Sequence, residues 1–207
     1  MKQPALFPDL PAARGRPQEP VVRGALVRDD CRYWLKRAWG AGPLVAWVMC
    51  NPSVADASKD DPTMIRVMEF SHGWGFGSCL VLNLVPLITP YPQRCLAWLK
   101  RTPWVFEAPP TKECEQYSDN IEICAEMLPT AQLHIAAWGN MLPRRVADHW
   151  LQHVAEHSET LHDPTEDEGS IVEWHCLGVT KSGAPKHPLA RGKHRVPDGF
   201  KPVGFTP

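Results

Sequence analysis

The loop that follows an apolar run near residue 50 carries the first group able to do chemistry. Asn51 comes directly after the run, and Pro52 restricts its backbone. An asparagine amide offers one oxygen acceptor and two N–H donors to a single small molecule. We therefore predict a catalytic role for Asn51 and substrate contacts for Pro52 and Ser53.

Three aspartates lie further along the same loop. The carboxylates of Asp56, Asp60 and Asp61 are of the kind that activates water or holds Mg²⁺. Asp61 has a second interpretation, because Asp61-Pro62-Thr63 can turn the chain and cap a helix that begins near Thr63. Capping is favoured for Asp61, which stays beside Asp56 among the candidate catalytic residues.

A second polar loop, over a hundred residues later, contains His187 between Lys186 and Pro188. An imidazole held there, near Lys181, can donate a hydrogen bond to a developing anion. The alternative is a structural histidine in a basic tail. We predict a catalytic role for His187.

Two shorter loops supply candidate substrate contacts. Asn83 can pair with the edge of a base or an amide, and Trp138, followed by Gly139, offers a face for stacking. Both Asn83 and Trp138 can equally be core residues, since they adjoin apolar strands. We predict that Asn83, Trp138 and Gly139 contact the substrate.

The elements that must position these loops alternate between strands and helices. Continuous apolar runs predict four strands at residues 44–50, 79–85, 132–138 and 171–177. Helical spacing predicts helices at 63–70, 94–100, 118–128 and 142–157, and residues 32–39 suggest a strand or hairpin arm. This alternation is typical of an α/β fold with a mostly parallel sheet and helices on its faces. In such sheets ligands bind beyond the carboxyl ends of the strands.

Composition sets the broad class. The chain has 207 residues, 43% of them hydrophobic, and a net charge of −1. We predict a flexible, proline-rich tail at residues 1–20 and one domain at 21–207. Neither a secretory signal nor an apolar run long enough for a membrane span is recognisable, so the expected location is cytoplasmic. The seven cysteines contain no Cys-x-x-Cys pair, which argues against a metal centre or a disulfide framework.

Positive charge is concentrated near the end of the chain. Residues 181–201 contain six lysines and arginines against the single acidic residue Asp198. This asymmetry is compatible with a phosphate-binding face, and a solvated basic tail is the alternative. The predicted DNA-binding residues are Lys181, Lys186, Arg191, Lys193 and Arg195.

The proline-rich tail contains the segment Gln3-Pro4-Ala5-Leu6-Phe7. It resembles the Gln-x-x-Leu-Phe peptide with which bacterial DNA-processing proteins bind the sliding clamp. An amide anchor followed by two large apolar side chains on an extended segment is all that such a pocket requires. Gln3, Leu6 and Phe7 therefore predict the clamp as a partner.

Several motifs together resemble a family of bacterial and phage proteins of unknown function, over roughly residues 30–190. They are Asn51-Pro52-Ser53, Asp60-Asp61-Pro62-Thr63, Asn83-Leu84, Ala137-Trp138-Gly139 and the segment from Leu177 to Leu189. Their order also resembles the uracil-DNA glycosylase superfamily, in which four strand ends carry an Asn-Pro loop, a Leu-Leu-Asn segment, a Leu-Trp-Gly segment and a His-Pro-Ser loop. This resemblance implies a three-layer sandwich with a four-stranded, mostly parallel central sheet.

The same resemblance implies roles for individual residues. Asn51 would position the hydrolytic water or align the sugar–base bond, Asn83 would read the base, and His187 would stabilise the departing base. No cofactor or metal is implied. Two features depart from the pattern: the first loop lacks Asp-Pro-Tyr, and Leu189 stands where those enzymes have serine. A damaged or modified base is therefore expected rather than uracil itself.

Three functional hypotheses follow. The first is a DNA base-processing hydrolase, active in repair or modification, that cleaves the N-glycosidic bond of a damaged or modified base. The second is an enzyme for a nucleotide or modified base that uses Asp56, Asp60 and Asp61 with a metal. The third is a non-catalytic DNA-binding module on the same scaffold.

Overall fold

The computed structural model describes residues 15–18, 20–102, 111–161 and 172–207. The clamp-binding segment with Gln3, Leu6 and Phe7 lies outside the described residues. So does most of the predicted 1–20 tail.

Seven strands and four helices make up the described fold. The strands are Val22–Arg28 (β1), Cys31–Ala38 (β2), Leu44–Met49 (β3), Ser78–Asn83 (β4), Leu133–Ala136 (β5), Trp174–Cys176 (β6) and Val203–Gly204 (β7). The helices are Pro62–Gly73 (α1), Pro92–Leu99 (α2), Lys112–Met127 (α3) and Arg144–Leu161 (α4). The predicted α/β class is confirmed.

All seven strands form one mixed sheet in the order β1-β2-β4-β3-β5-β6-β7. The pairs β4/β3, β3/β5 and β5/β6 are parallel, while β1/β2, β2/β4 and β6/β7 are antiparallel. The predicted count of four strands was too low, because no residue of β1 is fully buried and β7 has only two residues. Neither strand carries the apolar run by which buried strands are recognised.

Alternate residues of the central strands face two separate cores. Val45 and Trp47 pack with α1. The ring of Trp47 stacks on that of Trp74, with 5.3 Å between the ring centroids. Ala46 and Val48 pack in the other core with residues of α2, α3 and α4. Helices therefore cover both faces of the sheet, which explains why β3 is apolar throughout and β4 is apolar from Cys79 to Leu82.

Local capping determines where the helices begin. Asp61 Oδ1 accepts a hydrogen bond from the N–H of Met64 at 2.8 Å, so Asp61 is the N-cap of α1. Helix α3 begins six residues before its predicted start, because Thr111 caps it and Glu113 and Glu115 in its first turn suit the positive helix end. Among the described helices, none combines the length and the apolar character needed to cross a membrane.

Candidate functional site

A cavity of about 460 Å³ lies on the α1 face of the sheet, at the carboxyl ends of the parallel strands. Each central strand brings one candidate to it: Asn51 follows β3, Asn83 ends β4, Trp138 follows β5 and His187 lies beyond β6. The floor includes apolar side chains of the α1-facing core, among them Met49, Met64, Val67 and Val81. The two loops separated by more than a hundred residues thus meet at one cavity.

The side chain of Asn51 is held in one orientation. Its Nδ2 donates to the carbonyl oxygens of Pro52 at 2.8 Å and Thr89 at 2.7 Å. The N–H of Thr89 donates in turn to the carbonyl of Pro52 at 3.0 Å, which ties the two segments together. Because both described hydrogen bonds of this amide use Nδ2, Oδ1 is the atom that can accept from water or a ligand.

The half-buried imidazole of His187 is an uncharged hydrogen-bond donor. Its Nδ1 accepts a hydrogen bond from the N–H of Leu189 at 3.1 Å, which leaves the ring proton on Nε2. Burial lowers the pKa of His187 below its usual 6.5, and the charge of Asp61 opposes this effect only in part. At neutral pH the ring therefore offers an Nε2–H donor without a positive charge.

A short hairpin positions His187. The N–H of Thr180 donates to the carbonyl of Ala184 at 2.8 Å, and that of Lys186 donates to Gly178 at 2.9 Å. The loop after β5 is joined to it, because the N–H of Gly139 donates to the carbonyl of Pro185 at 2.9 Å. The imidazole is consequently supported by main-chain bonds from two strand ends.

Asn83 is the most unusual polar residue of the cavity. Its side chain is 1% exposed, and neither Nδ2 nor Oδ1 has a hydrogen-bond partner among the described residues. Buried polar atoms almost always have partners, and each one without a partner costs about 1–3 kcal/mol. A donor and an acceptor kept unpaired side by side indicate a ligand with a complementary acceptor and donor.

Arg32 also lines the cavity, and the sequence analysis missed it. It is 4% exposed; its Nη1 donates to the carbonyl of Ala55 at 2.6 Å, while its Nε has no partner in the described part of the chain. Burial lowers the pKa of Arg32 to about 10, so it remains a cation at neutral pH. A usable signal was present in the sequence, since Arg32 stands between Cys31 and Tyr33 in a segment that is otherwise apolar up to Leu35.

The three aspartates of the first loop have three different roles. Asp56 is exposed, and hydrogen bonds from Ser58 and Lys59 lower its carboxyl pKa. Asp60 pairs with the fully buried Arg37 at 2.7 Å, and Asp61 caps α1 at the cavity wall. Only Asp61 reaches the cavity, and no group of three potential metal ligands occurs among the described residues.

Comparison with known proteins assigns the chain to a family. Residues 32–189 match the model of a family described as "Protein of unknown function (DUF1643)". The chain belongs to this family. The expectation of a family of unknown function is thereby confirmed, and the DUF1643 match contains every residue of the cavity named so far. Searches of curated proteins and of solved structures each found no match.

The remaining predicted residues of this DUF1643 protein divide between the cavity and its surroundings. Ser53 and Gly139 line the cavity, whereas Pro52 is buried and is not one of its lining residues. Trp138 also lines it, but its ring packs edge-on against Trp174 and Phe205 at about 6 Å, as in a core residue. Among the predicted DNA-binding residues, Lys186 and Arg191 line the cavity, whereas Lys181, Lys193 and Arg195 are exposed outside it.

The unpaired amide of Asn83 leads to a prediction about stability. Asn83→Leu keeps the size of the side chain and removes two unsatisfied atoms, so we expect the free energy of unfolding to rise by about 1–3 kcal/mol. Function should suffer at the same time, as is usual where a strained site serves a ligand. Urea denaturation measures the first effect.

Asn120→Leu is the matched control for this prediction. Asn120 is equally buried, but its Nδ2 donates to the carbonyl of Asn83 at 3.0 Å. Its replacement should lower stability by about 1 kcal/mol. A loss of stability in both variants would mean that the Asn83 amide is satisfied in solution.

Proposed function

We propose that this protein is a DNA base-processing enzyme that hydrolyses the N-glycosidic bond of a damaged or modified base. The observation that carries the proposal is the buried, unpartnered amide of Asn83 in the same cavity as the neutral imidazole of His187 and the fixed amide of Asn51. These three groups correspond to the needs of base recognition, leaving-group stabilisation and water positioning.

Recognition of the base is assigned to Asn83. An amide presents a donor and an acceptor next to each other, as does the hydrogen-bonding edge of a nucleobase. The cavity volume of about 460 Å³ lies within the range of small-molecule sites. A base that is rotated out of the helix can thus enter the cavity and satisfy both atoms of Asn83.

Bond cleavage requires one water and one donor. Oδ1 of Asn51 accepts a hydrogen bond from the water, whose oxygen forms the new bond to C1′ of the sugar. As the bond from C1′ to the base nitrogen breaks, its electron pair leaves with the base, and the proton that the water loses passes through solvent to the departing base. Nε2–H of His187 donates a hydrogen bond to the departing base and stabilises its negative charge. The products are the free base and an abasic sugar.

Binding of the DNA backbone is assigned to the basic residues around the cavity. Within the described part of the chain, none of them forms an ion pair with a carboxylate, so their charges are available to phosphates. They are Lys181, Lys186, Arg191, Lys193 and Arg195.

Two further features support the proposal. The four loops that meet at the cavity resemble those of the uracil-DNA glycosylase superfamily, in the same order along the chain. The four parallel strands β4, β3, β5 and β6, with helices on both faces, suit the three-layer fold of that superfamily. The metal-dependent alternative has weaker support, because Asp56 and Asp60 are engaged in local contacts away from the cavity.

The test is a panel of single-stranded and duplex oligonucleotides, each with one damaged or modified base, incubated with the protein in EDTA and, in parallel, in Mg²⁺. We expect an abasic site, detected by alkaline strand cleavage, on at least one substrate. DNA binding with a marked salt dependence but no abasic product on any substrate would instead support a non-catalytic module. Turnover that requires Mg²⁺ would support the metal-dependent alternative.

The segment with Gln3, Leu6 and Phe7 fits this function, since a sliding clamp would deliver the enzyme to newly made DNA. Clamp binding stays a proposal, to be tested by whether replacement of Leu6 and Phe7 by alanine abolishes binding to a purified clamp.

A further inference from the structure

The cavity contains a buried cation that no described carboxylate neutralises by direct contact. No carboxylate oxygen among the described residues lies within 4 Å of the guanidinium of Arg32, whereas that of the other buried arginine, Arg37, is paired with Asp60 at 2.7 Å. A charge taken out of water is costly unless it is paired. Arg32 is thus placed to meet a negative group that arrives with the ligand.

The charges of the side chains that line the cavity also favour a ligand with a negative group. Three side chains that carry a positive charge at neutral pH line it: Arg32, Lys186 and Arg191. Asp61 is the one carboxylate among the described lining residues, and its Oδ1 is already occupied by the N–H of Met64. The wall therefore favours an anionic occupant over a neutral one.

The negative charge of the ligand can come from a phosphate or from the base, and the positions of the cations in the cavity distinguish these two sources. Lys186 is half-buried and Arg191 is exposed, so these residues can meet phosphates at the mouth of the cavity. Arg32 is 4% exposed and shares the cavity wall with the buried residues Leu35, Met64 and Asn83. In a base that enters ahead of its sugar, the charge that reaches this depth belongs to the base.

We infer that the base taken by this cavity carries a negative charge at neutral pH, and that Arg32 is the residue that selects it. This inference rests on the proposed function and narrows its substrate class to acidic bases, namely those with a carboxylate substituent or a readily ionised ring. Asn83 pairs with the neutral edge of such a base, while the guanidinium binds its anionic group through charge-assisted hydrogen bonds.

Matched nucleosides test the inference, because they carry no phosphate. One pair is 5-carboxy- and 5-carbamoyl-deoxyuridine, which have the same size but differ in charge; the other is deoxyxanthosine and deoxyinosine. We expect the wild-type protein to bind the anionic member of at least one pair about 10-fold to 100-fold more tightly, measured by calorimetry. Arg32→Gln should reduce this preference to within about two-fold.

Arg28→Gln is the control, since it removes an exposed cation that does not line the cavity and should leave the preference intact. Equal binding within both pairs by the wild-type protein would overturn the inference, whether or not the Arg32 variant folds. Tighter binding of deoxyuridine monophosphate than of deoxyuridine, lost in Arg32→Gln, would also overturn it, because the negative charge would then be that of a phosphate.

Base release from oligonucleotides separates this inference from the proposed function. A preference for the anionic nucleoside without base release would support the role of Arg32 and contradict the glycosylase activity. Base release from neutral bases alone would support the activity and contradict the role of Arg32.

Discussion

Replacement of His187 by alanine is expected to lower the rate of base release about 100-fold to 1000-fold, the usual effect of removing one donor to a developing anion. The neutral ring, with Nδ1 bonded to the N–H of Leu189, provides that donor at Nε2. Asn51→Ala should produce a loss of similar size, because Oδ1 no longer orients the water. Single-turnover kinetics on the best substrate of the panel measures both effects.

His194→Ala is the matched control, since His194 also lines the cavity but has no assigned role in the reaction. Its rate constant should stay within about three-fold of the wild-type value, far below the loss expected when a catalytic donor is removed. DNA binding by His187→Ala should be nearly unchanged, because phosphates are bound by the basic residues. Retention of the full rate by both His187→Ala and Asn51→Ala would exclude the proposed mechanism.

The second large effect is expected on stability, from Arg37→Leu. The side chain of Arg37 is fully buried; it pairs with Asp60 at 2.7 Å and donates to the carbonyl of Asp56 at 2.6 Å. Removal of one partner of a buried ion pair costs about 3–5 kcal/mol. A loss of this size should lower the midpoint of thermal unfolding by about 10 °C, measured by calorimetry.

Arg144→Gln is the control for this prediction. Arg144 pairs with Asp148 at 3.5 Å on the surface of α4, and both side chains are more than half exposed. Exposed pairs of this kind contribute less than about 1 kcal/mol. If Arg37→Leu were as mild as Arg144→Gln, the remaining partners of Asp60, Arg16 and Arg23, would be sufficient to hold the loop.

The loop between β3 and α1 matters both for stability and for the proposed function. Arg37 holds the main chain at Asp56 and Lys59, and Arg32 holds it at Ala55, so β2 anchors the loop that begins with Asn51. The order of the loop thus depends on two arginines that the sequence analysis did not select. Their burial explains how a polar loop next to an apolar sheet has a defined shape.

Much of the scaffold could be predicted because its signals are local. Apolar runs marked β3, β4, β5 and β6, and helical spacing marked all four helices, with errors confined to their ends. Polar residues end the predicted strands, and this placed Asn51 and Asn83 near a common edge. The carboxyl ends of parallel strands lie at the same edge of a sheet. The edge strands β1 and β7 escaped prediction because pairing, rather than apolar content, makes them strands.

By itself, the sequence determined the α/β class, the family and the two loops that hold Asn51 and His187. Only the tertiary structure decided the surroundings of the site residues: which nitrogen of His187 carries the proton, that the amide of Asn83 lacks a partner among the described residues, and that Arg32 is buried at the cavity. It also separated Asp56, Asp60 and Asp61, which sequence had grouped, into a turn, an ion pair and a helix cap. The physical reason is that burial and hydrogen bonding depend on neighbours far apart in the chain, whereas strand and helix formation depend largely on neighbours close in sequence.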